Sequence, residues 1–354
     1  MLYRRRHDGA RPLLLRSLTQ RILMGSSMEM RKKVQDTMTE AIETFQFSPD
    51  MLVPDQRAPG ISAFMRIRNG ADFLEACIRS HAPFYDEIVA VYNQSTDGTA
   101  DILARLATEL GPKLRVYHYV PPAFPAGSEG HADTPGDAPN SLVNYSNFAL
   151  TKTRHQWVVK LDDDHLAIPS GVQKITHAIR SWAADPRVMH CFSGLNLMRT
   201  DAGEWGVPAA APVSGKGDIG YFRVSNQTYF THDRRFERFV RGDIKREFVG
   251  WYYWHLKYIK SGGGFANYDL AANPQSRYAR RVDKLQAKGI WTLDETRAAL
   301  TPRMMARARA LLDSKARLVL ERDASIAAAF PHPDLVAALD ATSPGWRKWL
   351  ERSE

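Results

Sequence analysis

Three adjacent aspartates, Asp162, Asp163 and Asp164, directly follow a strand-like stretch at residues 157–161. Like charges this close repel, and each raises the pKa of its neighbours. A compensating positive charge, or open contact with water, is therefore needed. A divalent cation would supply that charge. A polar turn that closes a strand is the alternative, because Asp is common in turns, and this stretch alone does not decide between the two.

Alternating strand-like and helical patterns lead up to the aspartates. Apolar runs predict strands at residues 61–67, 87–92, 114–120 and 157–161. Apolar residues at helical spacing predict helices near residues 73–78, 97–110 and 141–152. This alternation implies an α/β fold with a parallel sheet covered on both faces. Ligands of such sheets bind beyond the carboxyl ends of the strands, which is where the aspartates lie.

The rest of the chain is less regular. Residues 121–140 form a long Pro- and Gly-rich loop, and residues 188–197 and 219–224 predict further strands. From about residue 277 the pattern is mainly helical. We therefore predict three regions. They are a basic N-terminal extension (1–58), a main α/β domain (59–275) and a helical C-terminal region (276–354).

Composition narrows the class of protein. The chain has 354 residues, 44% of them apolar, and a formal net charge of +9. A basic chain suits an anionic partner, although a basic surface without function is the alternative. The positive charge is dispersed, without a basic motif interleaved with aromatic residues, which argues against nucleic acid. The two cysteines, Cys77 and Cys191, form no C-x-x-C motif and indicate a reducing, cytoplasmic compartment.

The N-terminal extension combines arginines with leucines and isoleucine at helical spacing around residues 11–22. No run approaches the ~20 apolar residues that span a bilayer. One interpretation is a basic amphipathic helix on an anionic membrane surface, the cytoplasmic face of the inner membrane. The alternatives are a short helix packed on the main domain, or sequence upstream of a later start at Met24 or Met28.

Three segments in order, ISAFMRIRNGADFLEACI, DEIVAVYNQSTDGTADIL and WVVKLDDDH, resemble the family 2 glycosyltransferases of the GT-A fold. The resemblance covers residues 61–165 well, extends more weakly to about residue 268, and omits both ends. It implies a GT-A, Rossmann-like mixed sheet flanked by helices, and a nucleotide-sugar donor.

The D-x-D of that family falls on Asp162 and Asp164. Residues i and i+2 of an extended segment point to the same side, ~6.6 Å apart, so both reach one cation. Oxygen ligands and donor phosphates suit Mg²⁺ or Mn²⁺, which would stabilise the leaving nucleotide diphosphate. Asp163 points the other way, and we assign it to the nucleotide side.

Further donor contacts are expected from the first two strand ends. Arginine forks at Arg66 and Arg68 suit phosphate, with Asn69 beside them, although surface salt bridges are the alternative. Tyr92 stands where relatives place a nucleotide-binding aspartate, and would stack on a base or pack in the core. Asp97 contacts the nucleotide or caps the following helix.

An inverting transferase needs a carboxylate base, and the family's acidic pair is missing near REFVGWYYWHLKYIKSGG. We rank Asp218 first and Glu247 second, with Asp243 and Glu237 behind them. In the same segment His255 completes the metal ligands or packs in the core.

Lys257 is a candidate phosphate contact, and His165 is expected to pack or to support the ligands. The predicted function is metal-dependent, inverting glycosyl transfer to a glycan or lipid-linked acceptor. That acceptor suits cell-surface polysaccharide or lipopolysaccharide assembly. The alternatives are a degenerate glycan- or partner-binding module and a metal-dependent nucleotidyltransferase or phosphohydrolase.

Overall fold

The computed structural model describes residues 39–351, except 201, 216, 266, 268, 269, 271–273, 276, 277 and 331. The predicted basic helix around residues 11–22 lies outside this part. The strands are β1 (Thr39–Ile42), β2 (Ala58–Ile67), β3 (Glu87–Tyr92), β4 (Leu114–Tyr119), β5 (His155–Lys160), β6 (His165–Ala167), β7 (Val188–Asn196), β8 (Met198–Arg199), β9 (Trp205–Pro208), β10 (Val213–Ser214), β11 (Gly220–Arg223), β12 (Thr228–Asp233), β13 (Phe236–Arg241), β14 (Lys245–His255) and β15 (Ile290–Trp291). The helices are α1 (Leu74–His81), α2 (Thr99–Leu110), α3 (Glu129–Asp133), α4 (Leu142–Thr151), α5 (Pro169–Arg180), α6 (Ala279–Lys288), α7 (Leu293–Leu300), α8 (Met304–Leu312), α9 (Ser314–Ala329), α10 (Leu335–Thr342) and α11 (Arg347–Leu350).

One large sheet organises the described residues, with strand order β1-β4-β3-β2-β5-β11-β7-β14-β6 and β10 paired to β7. Strands β1 to β5 pair in parallel. The antiparallel strand β11 then separates β5 from β7, and β14 runs parallel to β7. The hairpin β12–β13 and the small sheet β15-β9-β8 stand apart. The predicted fold class, a mixed α/β sheet flanked by helices with a helical C-terminal region, is confirmed.

Both faces of the parallel half are covered, as alternating side chains in β2 show. Met65 points into a core that it shares with Leu74 and Leu103 of α1 and α2. Phe64 points to the opposite face and packs with Phe148 of α4. Because both faces are apolar, the strands contain continuous apolar runs, as expected for a parallel sheet.

The two ends of the chain join this body. Part of the predicted extension forms β1, which pairs with β4. The C-terminal helices share a core with the far side of the sheet, where Trp346 and Leu339 pack in one cluster with Trp254. No helix in the part of the chain that the structure describes is long and apolar enough to cross a membrane.

The segment in which the family's acidic pair is missing, residues 246–263, is mostly a strand. Strand β14 occupies most of it and has eleven residues. Its second half is buried on both sides between β7 and β6. Consecutive aromatic residues such as Trp251–Trp254 favour a strand because each fills space on an opposite face.

Candidate metal and donor site

The three aspartates lie in the short loop that joins β5 to β6. At the start of the loop, the Leu161 amide donates to the Phe64 carbonyl at 2.9 Å. At its end, the Asp164 carbonyl accepts from the Leu256 amide at 2.8 Å. Central strand β2 and the residue after β14 therefore anchor the two ends. This holds the aspartates at the carboxyl edge of the parallel strands.

Asp164 faces an imidazole whose proton position is fixed by a third residue. The Asn196 amide nitrogen donates to the Ala211 carbonyl at 2.6 Å, which turns its Oδ1 toward Nδ1 of His255. Nδ1 must then carry the proton, and in the neutral ring Nε2 carries only a lone pair. This Nε2 lies 3.2 Å from Oδ1 of Asp164. Two lone-pair atoms at this distance repel unless a proton or a metal cation lies between them.

A second imidazole, that of His165, lies close to Asp164 and His255. Among the described residues, neither ring nitrogen of buried His165 has a hydrogen-bond partner, and neither does Oδ1 of Asp164. The ring is stacked on Tyr253 with centroids 3.7 Å apart. Burial lowers the pKa of His165 to about 3, so its ring is neutral and keeps a lone pair. One ligand atom each from Asp164, His165 and His255 lies within 4.8 Å of the others.

These atoms fit a divalent cation. A buried carboxylate oxygen without a hydrogen-bond donor is costly, and so is a buried imidazole with two idle nitrogens. A metal ion would bind the carboxylate oxygen of Asp164 and one nitrogen of each imidazole at once. One carboxylate with two imidazoles is a mixed set, which suits Mn²⁺ better than Mg²⁺, because Mg²⁺ prefers oxygen alone. Asn196 is then the outer partner that metal-binding imidazoles usually have.

Lys260 provides a fixed positive charge beside this cluster. Its ammonium lies 2.7 Å from Oδ1 of Asp163 and 3.1 Å from Oδ2 of Asp164. Burial lowers the pKa of Lys260, but the two carboxylates outweigh burial and raise it above its usual value. Oδ2 of Asp164 is therefore held by the lysine, and Oδ1 is left toward the imidazoles.

Asp162 belongs to a second charged group on the other side of the loop. It lies 3.7 Å from the Lys160 ammonium and 3.8 Å from Nε2 of His165. Lys160 also pairs with Glu237 of the β12–β13 hairpin at 3.1 Å, and Arg66 pairs with Glu237 at 2.5 Å. Burial would raise the pKa of Glu237, yet the two cations outweigh it and lower the pKa. The Glu237 carboxylate is therefore a counter-ion of Arg66 and Lys160, and it is a weak base.

The two loops beside the aspartates are tied together by Asn69 and Asp97. Asn69 has a positive φ of 51°, and its Oδ1 accepts from the Thr96 amide at 2.8 Å. Oδ1 of Asp97 accepts from the Thr99 amide at 3.0 Å, and Oδ2 accepts from the Ala71 amide at 3.0 Å. Both oxygens of Asp97 are thus used in holding the first residue of α2 and the neighbouring loop.

The other expected donor residues lie at varied distances from the cluster. Arg68 follows β2, and its Nε is buried without a hydrogen-bond partner among the described residues. Tyr92 ends β3 and stacks on His118 with centroids 4.6 Å apart. The Lys257 ammonium lies over the Phe265 ring, 5.0 Å from its centroid. Lys260, three residues later, is the lysine of this segment that reaches Asp163 and Asp164.

The two candidate bases lie at opposite edges of the sheet. Strand β11 pairs antiparallel with β5, with Tyr221 opposite Val159, so exposed Asp218, two residues before β11, lies toward the carboxyl end of β5. Burial raises the pKa of the Tyr253 phenol, and the negative charges of Asp162, Asp218 and Asp164 add to that effect. The charge of Asp218 therefore acts on the same part of the sheet as the charges of Asp162 and Asp164.

Glu247 lies far from them. It stands eight residues before His255 on the same strand, a separation of roughly 26 Å along β14. There it lines a cleft of about 580 Å³ at the amino edge, together with Arg187 and Arg241. Asp218 therefore lies at the same end of the parallel strands as the aspartates, and Glu247 lies at the other end.

Sequence reasoning missed three contributors to this site. Asn196 and Lys260 gave no motif signal, because their partners lie 59 and 97 residues away along the chain. From the sequence, His165 is expected only to pack or to support the ligands. Its position directly after the aspartates was the available signal, since β6 pairs His165 with His255 in register.

Comparisons with known proteins add little to this geometry. No protein-family model and no curated protein sequence matches the chain. Among solved structures, the chain is similar to glucosyl-3-phosphoglycerate synthase from Mycobacterium tuberculosis in complex with Mn²⁺, uridine diphosphate and phosphoglyceric acid. The identity is 16% and the TM-score 0.25, over 46% of this chain and 52% of that chain.

Two further similarities are of the same size. A complex of that synthase with Mg²⁺ and uridine diphosphate has 18% identity and a TM-score of 0.24, over 46% of this chain and 51% of that chain. A structure described as a mycobacterial protein has 18% identity and a TM-score of 0.25, over 44% and 46%. The chain spans about half the length of these structures. At such scores the likeness carries no argument about the site, which rests on the geometry above.

Proposed function

We propose that this protein is a metal-dependent glycosyltransferase that moves a sugar from a nucleotide-sugar donor to an acceptor hydroxyl. One observation carries the proposal. One ligand atom each from Asp164, His165 and His255 lies within 4.8 Å of the others at the carboxyl edge of a mixed α/β sheet. Oδ1 of Asp164 and both ring nitrogens of His165 are buried without a hydrogen-bond partner among the described residues. The family 2 assignment and the inverting outcome rest on the sequence resemblance.

Asp164, His165 and His255 would hold the cation, with Asp162 on the side of the donor phosphates. When bound, a divalent cation supplies Lewis-acid stabilisation of the departing nucleotide diphosphate. The donor's negative charge also meets the Lys260 ammonium and the Arg66–Lys160 pair, which Glu237 balances only in part. Arg68 and Asn69 on the neighbouring loop, with Tyr92 at the end of β3, complete the nucleotide side.

Asp218 is our choice for the base that takes the proton from the acceptor hydroxyl. It is exposed and precedes β11 at the carboxyl end of β5, whereas the Glu237 side chain is only 12% exposed and is held by two cations. A base must be accessible to the attacking hydroxyl whose proton it accepts. We further propose that residues 59–275 carry the donor and acceptor sites and that the acceptor is a glycan or a lipid-linked glycan.

The first test is a thermal-shift screen of UDP, GDP, dTDP, CDP and CMP, each with and without Mn²⁺. We expect one nucleotide to raise the melting temperature only with metal, and Asp164→Ala to lose that shift. If no nucleotide shifts the wild-type protein under any metal, the transferase proposal fails. A degenerate binding module then becomes the better interpretation.

The second test separates binding from chemistry by sugar transfer from donors of the nucleotide identified above. Asp218→Asn should keep the metal-dependent nucleotide shift and lose at least about 100-fold in transfer, the usual contribution of a general base. Glu247→Gln is the matched control and should transfer normally. Loss of transfer in Glu247→Gln but not in Asp218→Asn would exclude Asp218 as the base. Release of pyrophosphate without sugar transfer would indicate a nucleotidyltransferase.

A further inference from the structure

Helix α8 exposes large apolar side chains that a folded core would normally bury. Met304 and Met305 are 85% and 86% exposed, and Leu311 and Leu312 are 87% and 93% exposed. Single exposed apolar residues are ordinary, but four on one helix form a patch. Helix α8 belongs to the C-terminal region of the chain, and a single residue separates it from α9.

These four side chains share one face. At 100° per residue, Met304, Met305, Leu311 and Leu312 fall within an arc of about 120°, with Ala308 inside it. Arg307 lies beside one edge of the arc and Arg309 beside the other, by the same rotation. An apolar arc with basic residues at its borders is the pattern of a helix that lies in the plane of a membrane surface.

Charge around the helix has one dominant sign. Residues 303–317 contain five basic side chains, Arg303, Arg307, Arg309, Lys315 and Arg317, and one acidic side chain, Asp313. The Asp313 carboxylate already caps α9 by accepting from the Lys315 amide at 2.8 Å, and it lies 3.8 Å from Arg309. The surroundings of the apolar arc are therefore electropositive.

We propose that α8 docks the protein on an anionic lipid surface, with Met304, Met305, Leu311 and Leu312 inserted at the level of the headgroups. Long basic side chains at the border of such a face reach lipid phosphates while their stems cover apolar surface. The proposal does not depend on the proposed reaction.

Two other occupants fit less well. A nine-residue helix is ~13.5 Å long and ~10 Å wide, which is far below the ~800 Å² per partner that a stable dimer needs. Residues 1–38 carry nine Lys or Arg against three Asp or Glu, so this segment has the same sign of charge as α8. Charge complementarity therefore favours an anionic surface over a second copy or the N-terminal segment.

The test is co-sedimentation of the full chain with phosphatidylcholine vesicles that contain or lack phosphatidylglycerol. We expect binding only to the anionic vesicles. Arg307→Gln with Arg309→Gln should weaken binding about 30-fold, and Leu311→Gln with Leu312→Gln at least about tenfold. Arg280→Gln with Arg281→Gln, two exposed arginines on α6, removes the same charge elsewhere and should leave binding nearly unchanged.

Thermal melting of each variant checks that the chain is folded, which we expect because the substituted side chains are exposed. Wild-type binding by both α8 variants would overturn the proposal. Equal losses in the α6 control would overturn it too, since general charge would then explain the binding. A concentration-dependent dimer that only the α8 variants lose, without vesicle binding, would show that a second copy covers this face.

Discussion

Two buried carboxylates, Glu87 and Asp164, lie at opposite ends of the parallel part of the sheet. They differ in their hydrogen bonds. Glu87 begins β3 and is 3% exposed, yet its oxygens accept from the Ser62 hydroxyl, the Arg154 amide and the Arg115 guanidinium at 2.6–3.1 Å. Asp164 follows β5 and is 6% exposed, and its Oδ1 accepts no hydrogen bond among the described residues.

The difference separates a structural acid from a functional one. A buried carboxylate with its donors in place costs little to keep and stabilises the fold. A buried carboxylate oxygen left without a donor, such as Oδ1 of Asp164, costs free energy, and it persists where a ligand or cation completes it. Burial and charge are alike at the two positions, so hydrogen-bond satisfaction is the property that points to function.

The largest expected effect is on metal binding by Asp164→Asn. The amide keeps the shape of the side chain but removes the negative charge that the cation needs, so we expect Mn²⁺ affinity to fall at least about 100-fold. Calorimetric titration of Mn²⁺ measures this. Glu87→Gln is the matched control and should bind Mn²⁺ like the wild type. Equal affinity in Asp164→Asn would show that the cluster is not the metal site.

Glu87→Ala should produce the opposite profile, with normal metal affinity and a less stable fold. Its loss removes one acceptor each from Ser62 and Arg115, and breaking a buried ion pair costs about 3–5 kcal/mol. Urea unfolding followed by circular dichroism measures the change in the free energy of unfolding. A loss below about 1 kcal/mol would mean that Glu87 contributes no more than a surface acid.

The same residue predicts how stability depends on pH. Burial would raise the pKa of Glu87, but hydrogen bonds from His155, Ser62, the Arg154 amide and Arg115 outweigh it and lower the pKa from 4.5 to about 2. Its contribution is therefore complete above about pH 4.5 and is lost as the pH falls toward 2. Between pH 6 and pH 2 we expect about 3 kcal/mol of stability to disappear.

The control for this pH dependence is Glu87→Gln, which cannot titrate. Unfolding at pH 6, 4, 3 and 2 should give a shallower acid loss in the variant than in the wild type. Identical slopes would assign the acid loss to other carboxylates.

A smaller effect is expected from Asn196→Ala, which touches the metal cluster only through His255. Without the amide oxygen, Nδ1 loses its acceptor and the ring loses its fixed proton position. Loss of such an outer partner typically weakens metal binding about 10–100-fold. Mn²⁺ titration is again the measurement. An unchanged affinity would show that the Asn196 hydrogen bond does not orient the ring.

The sequence alone determined much of the parallel half. Predicted strands at residues 61–67 and 87–92 correspond to β2 and β3, because both-face burial leaves continuous apolar runs. The three aspartates were found for a similar reason, since they follow such a run and must lie at its carboxyl edge. Both features are local, so a short stretch of consecutive residues is enough to predict them.

Only the tertiary structure decided the composition of the site. It showed that Lys260 reaches Asp163 and Asp164, whereas Lys257, three residues earlier, lies over the Phe265 ring. It put Asp218 at the carboxyl end of the parallel strands and Glu247 at the amino end, through strand pairings that no spacing reveals. It also fixed the proton of His255 through Asn196, 59 residues away. Such contacts depend on how the strands pair, and register is set by the packing of the whole sheet rather than by neighbouring residues.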